Sequence, residues 1–192
     1  MRSDSERAIW AHRRYAALQP DNHEAHFLLG VDHQVRGDLK AASDAYRRAL
    51  DRHPTHFDSL NNLAVVLEKQ GDGDGAMTWY RKAITAAPPG RGVRARYNLG
   101  DLYLSSGRFD DAIREFQTVL GAQQASKSAT GGARIPGVPT KLRAQTHNAL
   151  GKAYESQSRI ADAVGAYTAA LALDPKLAQA KNNLVRARAR MP

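Results

Sequence analysis

The sequence predicts an all-α fold, an α-solenoid in which antiparallel helix pairs stack into a superhelix. The first observation is a repeat of 34 residues, in which Gly37 recurs as Gly71 and Pro54 as Pro88. A fixed period of this length is typical of stacked repeat architectures. The second observation is that apolar residues within each copy recur at three and four, the spacing of one helical face. The third is the glycine midway through each copy, which divides it into two helices joined by a tight turn.

The recurring residues also explain how the two helices of a copy would pack. Gly30 and Ala42 are small enough to let two helices approach closely, Tyr46 fills the space beside the contact, and Pro54 ends the second helix. This pattern resembles the tetratricopeptide repeat (TPR). The Leu-Gly, Ala, aromatic, Ala and Pro signature of that family falls on Leu29-Gly30, Ala42, Tyr46, Ala49 and Pro54. The resemblance implies that the first helices of the pairs line a concave face.

The N-terminal stretch is predicted to form one helix over residues 4–18, closed by Pro20. Measured back from Pro20, this helix looks like the second half of a repeat whose first helix is missing. Ile9 and Trp10 would then lack their usual cover. Either the chain is a fragment of a longer protein, or this face meets a partner or a second copy of the chain.

About four full repeats are predicted to follow within a single domain spanning 1–192, over residues 23–56, 57–90, 93–124 and 144–177. In the fourth, Ser158 replaces the glycine of the mid-repeat turn, which puts the turn geometry in question. Residues 125–143 read as a flexible basic insertion, because Gly, Ser, Ala and Pro are mixed with polar residues there. Residues 178–190 are predicted to form a C-terminal capping helix.

Composition limits the class of protein. The chain is 42% hydrophobic and 24% charged, which is ordinary for a soluble globular protein. No apolar run approaches the ~18 residues that span a bilayer, and residues 1–6 lack the apolar core of a secretory signal. We therefore expect a soluble protein, cytoplasmic or periplasmic, without a transmembrane segment. Because the chain has no cysteine, disulfides, thiolate metal sites and a cysteine nucleophile are excluded.

The formal charge of +9 is unevenly distributed. Residues 121–143 contribute +4 and residues 176–192 contribute +5, so the rest of the chain is neutral. One function that this favours is salt-sensitive binding to nucleic acid or to an anionic membrane surface. No aromatic side chains lie among these basic residues, however, so nucleic-acid binding is only the alternative expectation.

Two glycine-containing stretches come close to ligand-binding loops but are interpreted as structural. Residues 121–128 approach a phosphate-binding loop, yet they follow a helix rather than a strand and lack the second glycine. Residues 71–75 alternate Gly and Asp as in a calcium loop, yet they lack the third oxygen ligand and the downstream glutamate. A turn before a helix explains them better.

The histidines do not predict a metal site. His23 with His26, and His53 with His56, form two pairs near helix ends that could approach each other across neighbouring repeats. Without an acid or a thiolate at a set spacing, we predict no metal ion and no cofactor. No Ser-His-Asp set or carboxylate pair stands out from the repeat, so the chain is not predicted to be an enzyme.

Asparagines recur at one place in the first helices. Asn62, Asn98 and Asn183 precede the leucine that marks each first helix, and Asn61, Asn148 and Asn182 lie one residue earlier. The family resemblance implies that these side chains point into the concave groove. There an amide could bond both the C=O and the N–H of an extended peptide. The alternative is that each asparagine bonds a neighbouring helix or water.

The complete predicted groove therefore contains these six asparagines and six further residues of the first helices, Phe27, Val31, Val65, Tyr97, Asp101 and Lys152. The apolar members lie towards the N-terminus and the charged ones towards the C-terminus. We predict a non-catalytic scaffold or adaptor that binds an extended peptide or a segment of a partner protein. A further alternative is that the array is the recruiting arm of a larger enzyme or of a secretion or assembly machine.

Overall fold

The computed structural model describes residues 4–128 and 137–191, which contain ten α-helices and no strand. The all-α prediction is therefore confirmed. Across the described residues, no helix combines the length and the hydrophobicity needed to cross a membrane. The helices are α1 (Asp4–Leu18), α2 (His23–Val35), α3 (Leu39–Arg52), α4 (Phe57–Lys69), α5 (Gly73–Ala86), α6 (Val93–Ser105), α7 (Phe109–Ser128), α8 (Thr140–Ser156), α9 (Ile160–Leu173) and α10 (Ala178–Arg188).

The helices pack as consecutive pairs in two compact units. Unit 1 spans Met1–Ala87 and holds α1 to α5, and unit 2 spans Pro88–Pro192 and holds α6 to α10. In unit 1, α2 packs on α3 and α4 on α5, with α1 against α2 and α3 against α4. In unit 2, α6 packs on α7 and α8 on α9, with α7 against α8 and α10 against α9. Each unit thus has the stacked helix pairs of an α-solenoid.

The turn inside each helix pair requires a left-handed backbone. Gly37, Gly71 and Gly107 have φ of +79°, +86° and +73°, which glycine adopts without steric cost. Ser158 takes the same position at φ +60°. Its N–H donates to the Glu155 carbonyl at 3.0 Å, and the next N–H donates to the Tyr154 carbonyl at 2.9 Å, which is the helix-ending pattern of the glycine turns. The serine therefore keeps the turn geometry and carries the strain that glycine avoids.

The predicted close approach of the two helices in a pair is confirmed. A Cβ added at Gly100 would lie 2.7 Å from Cε1 of Phe116, and one added at Gly151 would lie 2.5 Å from Cε1 of Tyr167. Gly30 faces Tyr46 in the same way. The ring occupies the space that any larger side chain would need.

The insertion predicted at 125–143 is corrected at both ends. Residues 125–128 belong to α7 and residues 140–143 belong to α8. The physical reason is a local core in which Val119, Val138 and Leu142 are buried together. Burying Leu142 favours an earlier helix start than the polar composition indicated. Residues 129–136, the centre of the predicted insertion, lie outside the described residues.

The expectation that Ile9 lacks cover is wrong. Its side chain is only 4% exposed, because α1 packs directly on α2. Trp10 on the neighbouring face is 50% exposed, and the Arg14 guanidinium lies 5.4 Å from its ring centroid. Self-association through α1 stays a prediction, and Trp10 rather than Ile9 is the residue that could carry it.

Candidate functional site

A tyrosine hydroxyl joins the second helix of a pair to the end of the first in three of the four repeats. Tyr46 donates to Gln34 at 2.7 Å, Tyr80 donates to Glu68 at 2.8 Å, and Tyr167 donates to Glu155 at 2.9 Å. Each pair is separated by 12 residues. The third repeat has Phe116 and Leu104 at the two equivalent positions. A hydroxyl and its acceptor are therefore present or absent together.

Burial keeps two of these tyrosines in the donating form. Desolvation raises the pKa of Tyr46 to about 12. The pKa of Tyr167 is raised further, first by burial and then by the hydrogen bond to the negative Glu155. Both hydroxyls are consequently protonated, and able to donate a hydrogen bond, throughout the physiological pH range.

Unit 2 contains a cleft of about 720 Å³ between its first helices and α10. Helices α6, α8 and α10 contribute residues at helical spacing, so their facing sides form one wall. This unit 2 cleft is lined by Asp101, Leu104, Ser105, Lys152, Glu155, Ser156, Asn183, Arg186 and Arg190. Three predicted groove residues, Asp101, Lys152 and Asn183, are among them. A second cavity of about 380 Å³ shares Asp101 and Lys152 and adds the predicted Tyr97 and Asn148.

Glu155 is the centre of a charged cluster in the unit 2 cleft. Arg186 donates to its two oxygens at 3.0 and 2.9 Å, and Arg190 donates at 2.9 Å. The bidentate Arg186, together with Tyr167, lowers the pKa of Glu155 to about 2, because each donor favours the charged carboxylate. Neither Glu155 nor Arg190 is among the groove residues predicted from the sequence. The detectable signal was a pair of arginines four residues apart, Arg186 near the end of α10 and Arg190 in the turn that follows it.

Two charged residues of the cleft are available to a ligand. Lys152 and Asp101 are exposed, and neither side chain makes a hydrogen bond or an ion pair within residues 4–128 and 137–191. Burial raises the pKa of the adjacent Tyr97, and the negative Asp101 raises it further. Within the described part of the chain, the cleft thus offers a cation and an anion to a ligand, and the adjoining second cavity adds the phenol of Tyr97.

Four of the six predicted asparagines bond their neighbours. The Asn183 amide donates to Asn148 at 3.0 Å between α10 and α8, and Asn62 donates to the Tyr46 hydroxyl at 3.3 Å between α4 and α3. Asn61 donates to Asn62 at 3.3 Å. The alternative interpretation, bonding to a neighbouring helix, therefore describes Asn62, Asn148 and Asn183. Asn98 is half-buried and Asn182 is exposed.

In unit 1 the predicted groove residues form a partly apolar surface. Phe27, Val31 and Val65 are half-buried, and the Phe27 ring lies 5.1 Å from the His56 ring and 6.0 Å from the Tyr46 ring. The buried Oδ1 of Asn61 has no hydrogen-bond partner among the described residues.

Three histidines of unit 1 come together, as their spacing allowed. The ring centroids of His23 and His53 are 4.8 Å apart, and those of His23 and His56 are 4.9 Å apart. Burial lowers the pKa of His56, and the neighbouring His23 lowers it further. His26 does not join them: it is buried, with its Nε2 2.9 Å from the Pro20 carbonyl.

Similar proteins were found at both sequence and structure level. An 82-residue stretch is 34% identical to a probable biofilm formation methyltransferase, WspC, of Pseudomonas putida, and covers 43% of this chain and 19% of that protein. A 101-residue stretch is 31% identical to the type IV pilus assembly protein PilF of Pseudomonas aeruginosa, and covers 53% of this chain and 38% of that protein. These matches span less than two fifths of either relative.

A solved structure supports the fold. YrrB, described as a TPR protein with an unusual peptide-binding site, superposes with a TM-score of 0.73 at 19% identity, covering 93% of this chain and 82% of YrrB. Two tetratricopeptide repeat families match the sequence, one at residues 28–91 and 89–129 and the other at 144–177. Together with the stacked helix pairs and the glycine–aromatic contacts, these matches establish that the chain belongs to the tetratricopeptide repeat family.

Proposed function

We propose that this chain is a protein-binding scaffold whose unit 2 cleft holds an extended segment of a partner protein. The observation that carries the proposal is the 720 Å³ cleft lined by Asp101, Lys152 and Asn183. These residues come from the first helices and from α10, the elements that the family resemblance assigned to binding. The unusual peptide-binding site of YrrB is consistent with this use of the fold.

The chemistry of the cleft specifies the kind of segment. Lys152 would pair with an acidic side chain or a C-terminal carboxylate, and Asp101 with a backbone N–H or a basic side chain. Because Glu155 already neutralises much of the charge of Arg186 and Arg190, those guanidiniums would act as directional donors. A few such bonds at about 0.5–1.5 kcal/mol each supply only part of the roughly 8 kcal/mol that a micromolar Kd requires, so apolar contacts of the segment would supply the rest.

The predicted groove residues of unit 1 would form a second, partly apolar contact. Phe27, Val31 and Val65, which are half-buried, would pack against apolar side chains of the segment. This contact belongs to unit 1 alone and can be tested with Phe27→Ala in the same assay.

The test is a selection from a displayed library of random peptides, followed by fluorescence-anisotropy titration of the enriched sequences. We expect enriched peptides to carry an acidic residue and to bind with micromolar Kd. Lys152→Glu should weaken binding by at least about tenfold, because it places a repelling charge against the ligand. Lys181→Glu makes the same charge change on the exposed side of α10 and should leave Kd unchanged.

Two outcomes would contradict the proposal. One is the absence of any enriched peptide, and the other is equal binding by wild type and Lys152→Glu. A parallel titration with duplex DNA and with anionic vesicles at low salt addresses the alternative function of the basic residues. Tight, salt-sensitive binding there, without peptide binding, would favour that alternative.

A second candidate function is that of a recruiting arm within a larger protein. The observation favouring it is that the match to the methyltransferase WspC occupies only 19% of that protein. The same cleft would then bring a partner to another domain. Peptide binding by this chain alone, as in the test above, is expected in both cases.

A further inference from the structure

The histidine cluster of unit 1 also contains a carboxylate. His23 and Glu24 open α2, His53 is the C-cap of α3, and His56 is the N-cap of α4. One ligand atom from each of His23, Glu24 and His56 can be chosen so that all lie within 4.8 Å of one another. The sequence predicts no metal site because it shows no acid at a set spacing from the histidines. The fold supplies that acid as Glu24.

The orientation of His56 leaves one ring nitrogen facing the cluster. Its Nδ1 lies 2.7 Å from the hydroxyl of Ser59, a residue that is fully buried. Its Nε2 lies 3.9 Å from a carboxylate oxygen of Glu24. Metal-ligating histidines commonly have the second ring nitrogen fixed by a hydrogen bond of this kind. Ser59 therefore holds Nε2 towards the space that His23 and Glu24 share.

The distances require only small side-chain movements to accept an ion. Zn²⁺ bonds histidine nitrogen and carboxylate oxygen at about 2.0–2.2 Å, so tetrahedral ligand atoms lie about 3.4 Å apart. The His56–Glu24 separation exceeds that by about half an ångström, and the widest separation by about 1.4 Å. Glu24 has a side chain that is 46% exposed and is free to rotate. The ring centroid of His53 lies 4.8 Å from that of His23, but His53 is not among the three residues whose ligand atoms converge, so its side chain has to turn to supply a fourth ligand.

We propose that His23, Glu24 and His56, with His53 as fourth ligand, form a binding site for a divalent transition-metal ion such as Zn²⁺. Nitrogen and carboxylate ligands without sulfur are a set that Zn²⁺ accepts. The site joins the start of α2 to the segment between α3 and α4. A bound ion would therefore link the first repeat to the second and stabilise unit 1.

The experiment uses the tag-free chain, stripped of metal and titrated with Zn²⁺ by isothermal calorimetry at neutral pH. We expect one Zn²⁺ per chain with micromolar Kd, and a melting temperature that rises with Zn²⁺ concentration because only the folded state has the site. His56→Gln should raise Kd by at least about tenfold. His12→Gln is the matched control, because His12 also contacts a carboxylate, that of Asp32 at 2.6 Å, and it should leave Kd unchanged.

A measurement on the wild-type chain keeps the proposal testable if a variant folds poorly. In ¹H–¹⁵N spectra of the imidazole rings, Zn²⁺ should shift His23, His53 and His56 and leave His12 and His147 in place. For His56 the coordinated atom should be Nε2. The proposal is overturned if the wild type binds no Zn²⁺, if the His23→Gln/His56→Gln variant binds it equally well, or if the shifted rings are others.

Discussion

Units 1 and 2 share one packing pattern but expose different side chains on their first helices. At the position that follows the small residue of the first helix, unit 1 carries Val31 and Val65, and unit 2 carries Asp101 and Lys152. The buried contacts are alike, since Gly30 faces Tyr46 in one unit and Gly151 faces Tyr167 in the other. The fold therefore depends on the small and aromatic residues, and the exposed positions are free to specify a ligand.

The polar contacts of the tyrosines extend the comparison. Gln34 and Glu68 in unit 1 each accept from one tyrosine, whereas Glu155 in unit 2 accepts from Tyr167, Arg186 and Arg190. The same position thus accepts one hydroxyl in unit 1, whereas in unit 2 it accepts a hydroxyl and pairs with two arginines. An interaction within a helix pair has become an interaction with the next helix as well.

The largest expected effect tests the shared packing. Gly30→Val and Gly151→Val should each destabilise the fold by about 3 kcal/mol, because the new side chain overlaps the facing ring. Urea unfolding followed by circular dichroism measures both, and the fluorescence of Trp10 and Trp79, both in unit 1, gives a separate reading of that unit. Gly165→Val is the control, since a Cβ there meets nothing within 4 Å. A large loss in the free energy of unfolding for only one of the two variants would contradict the view that both helix pairs pack in the same way.

A smaller effect should separate the two acceptor positions. Glu155→Gln should cost about 2 kcal/mol because Arg186 and Arg190 lose their counter-charge, while Glu68→Gln should cost less than about 0.5 kcal/mol. Gln34, which already accepts from Tyr46 at 2.7 Å, shows that an amide can serve a tyrosine alone. If Glu155→Gln and Glu68→Gln lowered the free energy of unfolding in urea equally, the two arginines would add nothing to stability.

The same carboxylate sets a pH dependence. Its pKa is about 2 in the folded chain against an ordinary 4.5, so its contribution is present above pH 4.5 and is lost as pH falls towards 2. Because both arginines are half exposed, about 1–2 kcal/mol is a reasonable size for the effect. The stability advantage of wild type over Glu155→Gln should therefore shrink between pH 5 and pH 2, as measured by urea titrations.

The smallest effect concerns the strained turn at Ser158. Ser158→Gly should stabilise unit 2 by about 1 kcal/mol, because glycine removes the steric cost of positive φ in a left-handed residue. Gly107→Ser makes the reverse change at the equivalent turn, at φ +73°, and should destabilise by a similar amount. A melting temperature that falls in Ser158→Gly would mean that the serine side chain makes a compensating contact.

The sequence predicted the features that repeat. Glycine at Gly37, Gly71 and Gly107 marks a backbone that other residues adopt only at a cost, and Gly30 with Tyr46 records a steric contact. Such constraints act within one helix pair, so the period reveals them. For the same reason the predictions of paired helices and of an all-α fold were correct.

The features that the sequence could not predict join different repeats. Glu155 meets Arg186 across 31 residues, and Glu24 meets His56 across neighbouring helix pairs. Their proximity depends on how one pair stacks on the next, which spacing within a pair does not determine. The early start of α8 has a similar origin, because Leu142 is buried against Val119 of the preceding helix.

The third repeat lacks the tyrosine hydrogen bond of the other repeats without leaving a buried polar group unpaired among its described residues. Phe116 and Leu104 replace a tyrosine and its acceptor at once, leaving neither a stranded hydroxyl nor a carboxylate facing an apolar ring. The aromatic residue of the second helix and the residue twelve positions before it therefore have to be exchanged together. An engineer who grafts one helix of this chain without its mate would bury an orphaned polar group, whereas moving both together carries the whole contact intact.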